Sequence, residues 1–227
     1  MAVPFTCSQA GIQVAEIPSN LYRIDLVTGD LILIGEITPI SEYNAIGFNV
    51  LDNYIYGYES TNSQIARLSS DATIELLGSV PNLPIAAYNI GDVDLNGYLY
   101  LYRTGEDHFY VVDVNSSRST YLQLVDPANG FALQTIDFGV EINIPLSVVD
   151  WAFNPTDGNL YAVENSGQVL RIDPITGTET ILVTIGIPAG NYGANFYDVE
   201  GNMYAINNAT GEIYKITTDL ATATGIL

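Results

Sequence analysis

The chain has 227 residues, 48% of them apolar, and its 26 acidic against 6 basic side chains give a net charge of −20. The apolar fraction suffices for a buried core, while the acidic excess argues against binding nucleic acid or anionic membrane surfaces, both of which need cationic patches. Apolar runs such as LILIG fall far below the roughly 18 residues of a membrane span, and Cys7, the only cysteine, can form no internal disulfide.

In chain order the sequence reads as short strands punctuated by Gly, Pro, Asn and Asp, with no stretch of helical period. The first unit, residues 3–40, is expected to start on a strand at Phe5 and to end on the outer hairpin LYRIDLVTGDLILIGEI. Its opening, MAVPFTCSQ, lacks the basic region followed by an apolar stretch that marks a signal peptide. In LYRID, Leu21, Arg23 and Asp25 share one strand face.

The second unit, 41–84, carries NYIYGYES, which puts Tyr54, Tyr56 and Tyr58 on one face of a strand. The third, 85–147, repeats this with Tyr98, Tyr100 and Tyr102. Such ladders fill the space between sheets, or stack on sugar rings; Tyr54, Tyr58, Tyr98 and Tyr102 are the candidate ligand contacts. The same unit holds DVDLNG, where Asp92, Asp94 and Asn96 have the early spacing of a calcium loop. No cofactor is expected; the turn reads as metal-free, with calcium as the alternative. Tyr100 and Arg103 stand where the later ligands belong, and the corresponding turns NVLDN, NPTDG and YDVEG make the same hairpin without that spacing.

An insertion at about 124–146 interrupts the third unit, and its Phe131 and Phe138 either dock on the body or await a partner. The fourth unit, 148–190, reads as four strands (WAFN, NLYAVE, QVLRID, TETILV) joined by PTDG, NSG and PITG; the fifth, 191–227, ends on ATATGIL.

Three anchors keep one phase through these units. The first-strand position is Phe5, Phe48, Asp92, Phe153 and Phe196; the second-strand position is Gln13, Tyr56, Tyr100, Tyr161 and Tyr204; the third-strand position is Arg23, Arg67, Val111, Arg171 and Lys215. A period of about 43 residues with four strands per unit is that of a β-propeller blade. The expected fold is all-β: one domain, a five-bladed β-propeller with four antiparallel strands per blade and no shared closing blade. The recurrent basic residue is expected to be a pairing or edge device. First strands rich in small residues (Gly47, Gly91, Ala152, Gly193, Ala194) should lie nearest the axis, with Asn49, Asp92, Asp94, Asn154, Asn195 and Asp198 offering oxygen donors at one mouth.

The phrases LYRID-x-x-TG and FNPTDGNLYAV resemble those of bacterial surface propellers of the quinoprotein-like and YVTN-type groups, across essentially all five copies. That resemblance implies display outside the cell or on a cell or spore surface, without enzymatic activity. His108, the only histidine, stands beside Asp107 with no nucleophile in view. The expected function is a non-enzymatic binding or structural module whose partner is a protein or glycan, with no nucleic acid and no membrane insertion. The alternatives are a carbohydrate-binding propeller and a divalent-cation-dependent hydrolase or lyase at the channel mouth.

Overall fold

A computed structural model describes residues 3–6, 10–26, 28–39, 41–126, 140–141, 147–218 and 222–226. Among them the chain forms no helix, so none is long and apolar enough to cross a membrane. Sheet one contains β1 (Ala10–Ala15), β2 (Asn20–Asp25) and β3 (Leu31–Glu36); sheet two contains β4 (Tyr43–Asn49), β5 (Tyr54–Glu59), β6 (Gln64–Leu68) and β7 (Ile74–Gly78). Sheet three contains β8 (Ile90–Val93), β9 (Tyr98–Tyr102), β10 (His108–Asp113) and β11 (Val140–Glu141), and sheet four β12 (Ala152–Phe153), β13 (Leu160–Val163), β14 (Val169–Ile172) and β15 (Glu179–Ile181). After β16 (Val183–Ile185) come β17 (Tyr192–Tyr197), β18 (Asn202–Asn207), β19 (Ile213–Thr218) and β20 (Thr222–Ile226), which form sheet five with β16 on its edge. Within each sheet, strands consecutive in sequence pair antiparallel, β16 excepted.

The core lies between sheets. Leu21 meets Tyr43 and Ile55 between sheets one and two, Tyr58 meets Leu101 and Val112 between two and three, and Tyr102 meets Trp151 between three and four. Val169 meets Met203 and Tyr192 between four and five, while Ile24 of β2 packs on Tyr204, Ile206 and Ile213. Sheet five therefore also packs on sheet one, and the series of interfaces returns to its start. This is a propeller-like repeat.

Backbones approach most closely at the inner strands. A Cβ added to Gly47 would lie 2.2 Å from the Val93 nitrogen, and one added to Gly91 2.3 Å from the Ala45 oxygen. The small first-strand residues thus serve the close approach that the sequence led us to expect.

Several elements differ from the sequence expectation. Phe5 does not open sheet one: its N–H donates to the Asn53 carbonyl (2.7 Å), Val3 O accepts from Ser70 N (2.9 Å), and the Phe5 ring meets Phe48 edge-on. The segment therefore lies against sheet two, and Pro4 between those residues has no N–H to give a ladder. TETILV does not remain one strand. After β15, β16 crosses to pair in parallel with β20, while Thr184 Oγ1 still accepts the Val169 N–H of sheet four at 2.8 Å. In sheet three the outer position is divided, Leu124 bridging Val112 and Val140 pairing Phe109. Phe131 and Phe138, together with most of the inserted segment, lie outside the described residues.

Candidate functional site

The turn between the first and second strands is built four times in two forms, a five-residue one closed by the Asn53 N–H on Asn49 O and the Gly158 N–H on Asn154 O, and a four-residue one closed by the Gly97 N–H on Asp94 O and the Gly201 N–H on Asp198 O. Its last residue, Asn53, Gly97, Gly158 or Gly201, has positive φ (62, 80, 72 and 84°). An aspartate within each turn accepts backbone N–H: Asp52 from Tyr54, Asp94 from Asn96 and Tyr98, Asp157 from Asn159, and Asp198 from Glu200 and Asn202. The second oxygen of Asp52 and of Asp157 accepts the hydroxyl of the recurrent tyrosine, Tyr56 (2.6 Å) and Tyr161 (2.7 Å). DVDLNG holds the four-residue form, as YDVEG does. Asp94 caps the turn and takes the Asn96 amide at 3.1 Å, while Asp92 turns away toward sheet four. The spacing of a calcium loop is present, but its oxygens do not converge. Among the described residues no three His, Cys, Asp or Glu side chains gather as metal ligands.

The tyrosine ladders face the next sheet. Tyr58 and Tyr102 are buried: Tyr58 meets Tyr88 edge-on at 4.9 Å, and Tyr102 stacks on Trp151 at 5.3 Å while its hydroxyl donates to Glu106 O. Both rings are packing elements. Tyr54 and Tyr98 are half-buried beneath guanidinium groups, Arg67 4.4 Å and Arg118 4.6 Å from the ring centres. The recurrent basic residue sits opposite the recurrent tyrosine in register, as in Tyr56 and Arg67, Tyr161 and Arg171, Tyr204 and Lys215. Arg67 also pairs with Glu75 of β7 at 2.6 Å. His108 opens β10, with Nδ1 2.7 Å from Asp107.

Two carboxylates, Asp92 and Asp150, stand at the inner strands. Asp92 accepts Val93 N (2.8 Å) and, across the gap between sheets, Phe153 N (2.7 Å). Asp150 repeats this one sheet on: its Oδ2 accepts Asn195 N (2.6 Å) and its carbonyl the Asn195 amide (2.8 Å). Burial pushes Asp92 up to about 7 against these bonds, and the Asp94 charge adds to the rise. Asp150 is pushed well above the usual carboxylate range, again by burial first, with the Asp92 charge in the same direction. Asn195 is buried, and its Oδ1 has no hydrogen-bond partner among the described residues. Chemically the group can hold a proton near neutral pH or present oxygens to a cation. Asn195 and Asp92 were expected among the mouth residues; Asp150 was missed, although its place directly before Trp151 of WAFN marks it as an inner-strand residue.

A cleft of about 320 Å³ opens where sheet two passes to sheet three. Tyr58, Val80, Leu83 and Ile85 supply its apolar lining, with Thr61, Asn62 and Ser63 on the turn beside it. That turn is fixed by Glu59, which accepts from Ser41 Oγ and from the N–H groups of Thr61 and Asn62. Burial acts to raise the Glu59 carboxyl, but these bonds hold it below its ordinary value. Elsewhere the outer rim is apolar: Leu31, Ile32, Leu33 and Ile34 of β3 are all exposed, as are Ile181, Val183 and Ile185.

In fold the chain is similar to virginiamycin B lyase from Staphylococcus aureus (16% identity, TM-score 0.53, 96% of this chain and 69% of that one). It is also similar to glutaminyl cyclase from Myxococcus xanthus (13%, TM-score 0.60, 95% and 87%) and to a gluconolactonase from Xanthomonas campestris (14%, TM-score 0.56, 100% and 87%). At these identities the likeness is one of fold. No curated protein matches the sequence. Residues 10–225 match the model of a family described as a repeat of unknown function (DUF6923), and the chain belongs to that family.

Proposed function

We propose that the five sheets are the blades of a five-bladed β-propeller, and that the chain is a non-enzymatic binding module displayed outside the cell or on a cell or spore surface. The observation that carries this reading is the apolar outer rim. Four consecutive exposed apolar side chains on β3, with Leu31 and Leu33 each 57% accessible, form a patch of the kind that marks an interaction surface. The rigid packing between sheets supports the same reading, because it leaves the rim and the inter-sheet turns as the surfaces free to engage a partner. The test is binding of the purified domain to bacterial cell-envelope preparations. Loss of binding after protease treatment identifies a protein partner, and loss after periodate oxidation identifies a glycan, for which the Tyr58 cleft is the proposed seat. No binding to any preparation overturns the reading.

A second reading is a divalent-cation-dependent hydrolase or lyase, and what favours it is the Asp92 and Asp150 pair with the unpartnered Asn195 Oδ1 beside it. Lactone hydrolysis that requires added Mg²⁺ or Ca²⁺, and that is abolished by Asp150→Asn, would replace the first reading with this one.

A further inference from the structure

We infer that the free edge of β3 is a seat for an extended apolar segment of a partner polypeptide, added in parallel as an outermost strand and flanked by Lys or Arg. The inference rests on the binding-module reading and names its partner class.

The fold itself displays the mode of addition. The chain leaving sheet four runs along the outer strand of sheet five, with Val183, Thr184 and Ile185 paired in parallel with Thr222, Ala223 and Thr224. The chain leaving sheet one does the same on sheet two: Thr38 bridges Thr73 in parallel, its N–H donating to Ala72 O (2.9 Å) and its O accepting Ile74 N (2.8 Å). In both places the crossing begins two residues beyond the last residue paired at home, Ile181 before Val183 and Glu36 before Thr38. Sheet one is the next position in this order after sheet five, and among the described residues nothing pairs with the outer side of β3.

What that edge offers fixes the chemistry of the occupant. An unpaired strand presents a row of N–H and C=O groups, and natural edges are usually protected by charge, proline or a bulge. β3 has none of the first two along Leu31–Ile34; its one irregularity is a bulge at Ile34, between Leu33 facing Tyr22 and Gly35 facing Leu21, so the regular stretch open to an added strand is Leu31–Leu33. Along Leu31–Leu33 the side chains alternate between the two faces, so an added strand with alternating apolar residues gains contact on both, as in other strand-addition complexes. The exposed Asp30 and Glu36 bracket the run, which places carboxylates beside both ends of an added strand. A second copy of this chain is disfavoured as occupant, because each copy carries a net charge of −20 and would bring like charges together.

The probe is a synthetic peptide carrying the chain's own covering strand, TILVTIGI (residues 180–187), with two lysines at each end. Its binding is followed by fluorescence anisotropy and by hydrogen exchange of the intact domain. The expected result is saturable binding that slows exchange in residues 31–35, with no binding by a scrambled peptide of the same composition. Leu33→Glu is the discriminating variant: it adds negative charge, so it should weaken strand addition at least tenfold, whereas attraction by charge alone would strengthen. Val199→Glu, at a fully solvated turn residue 89% accessible, should leave binding unchanged. Stronger binding in Leu33→Glu, or protection outside β3, overturns the inference. So does a wild-type dimer that Leu33→Glu converts to monomer, since the occupant is then a second copy. Envelope binding that survives Leu33→Glu while the peptide fails to bind overturns this seat and leaves the binding-module reading standing.

Discussion

At the scale of single residues, the inner-strand aspartates make a prediction whose sign is opposite to that of most acid groups. Asp92 is held near 7 in the folded chain, above its unfolded value of roughly 3.9, so the folded state binds the extra proton. Between these two values stability falls as pH rises. Thermal melts should therefore give a lower Tm at pH 8 than at pH 5, and Asp92→Asn should flatten that slope while keeping an oxygen for the Phe153 N–H. Below this window the sign reverses, because Asp71 and Asp107 are held below their ordinary values by the hydrogen bonds they accept, and that stabilisation is lost as acid protonates them. A Tm that rises from pH 5 to pH 8 contradicts this assignment. Gly47→Ala should cost about 3 kcal/mol or more in a denaturant titration, since the added methyl group meets backbone that has no flexible end to move. Tyr161→Phe removes the hydroxyl that donates to Asp157 and should cost about 1 kcal/mol. The identities of the turn aspartates could be read from the repeat; the destinations of Asp92 and Asp150 could not, because each accepts an N–H from a neighbouring sheet.

At the scale of elements, the repeat was legible wherever a strand's partners lie within one unit. The pairing of Tyr56 with Arg67, of Tyr161 with Arg171 and of Tyr204 with Lys215 is the cross-strand register behind the recurrent anchors. TETILV does supply the fourth strand of its sheet through Glu179–Ile181, but Phe5 and the end of TETILV, Val183, were misplaced for the opposite reason: both find partners in another sheet, and alternation of apolar residues does not tell which sheet a strand joins. One linker signal went unused. Pro39, Pro84 and Pro188 each stand four residues before a tyrosine, and the hydroxyls of Tyr88 and Tyr192 donate to the carbonyls of Pro84 (2.8 Å) and Pro188 (2.7 Å). That spacing marks the entry to three inner strands. The crossing of β16 can be tested at Thr184, which accepts the Val169 N–H. Thr184→Val leaves that donor without its partner and should cost about 1–3 kcal/mol, with hydrogen exchange quickening first in β16 and β20.

At the scale of the whole molecule, stability depends on closure between sheets five and one. Ile24 is fully buried there against Tyr204, Ile206 and Ile213. Ile24→Ala should cost about 3 kcal/mol, and it should lower the midpoint for every sheet together if the ring unfolds as one unit; a separate early transition confined to sheet one would show that the closure is not cooperative. The charge of −20 on 227 residues acts across the same body. Self-repulsion is screened by salt, so Tm should rise as NaCl is increased from low ionic strength.

The strand that crosses from sheet four to sheet five also bears on how the molecule would respond to force. β20 lies between β19, antiparallel, and β16, parallel. A pull along the chain beyond Ile226 therefore loads two ladders in shear at once, where a strand on a bare edge would open one bond at a time. A molecule tethered through that side would transmit tension into sheet four as well as sheet five before its last strand gave way.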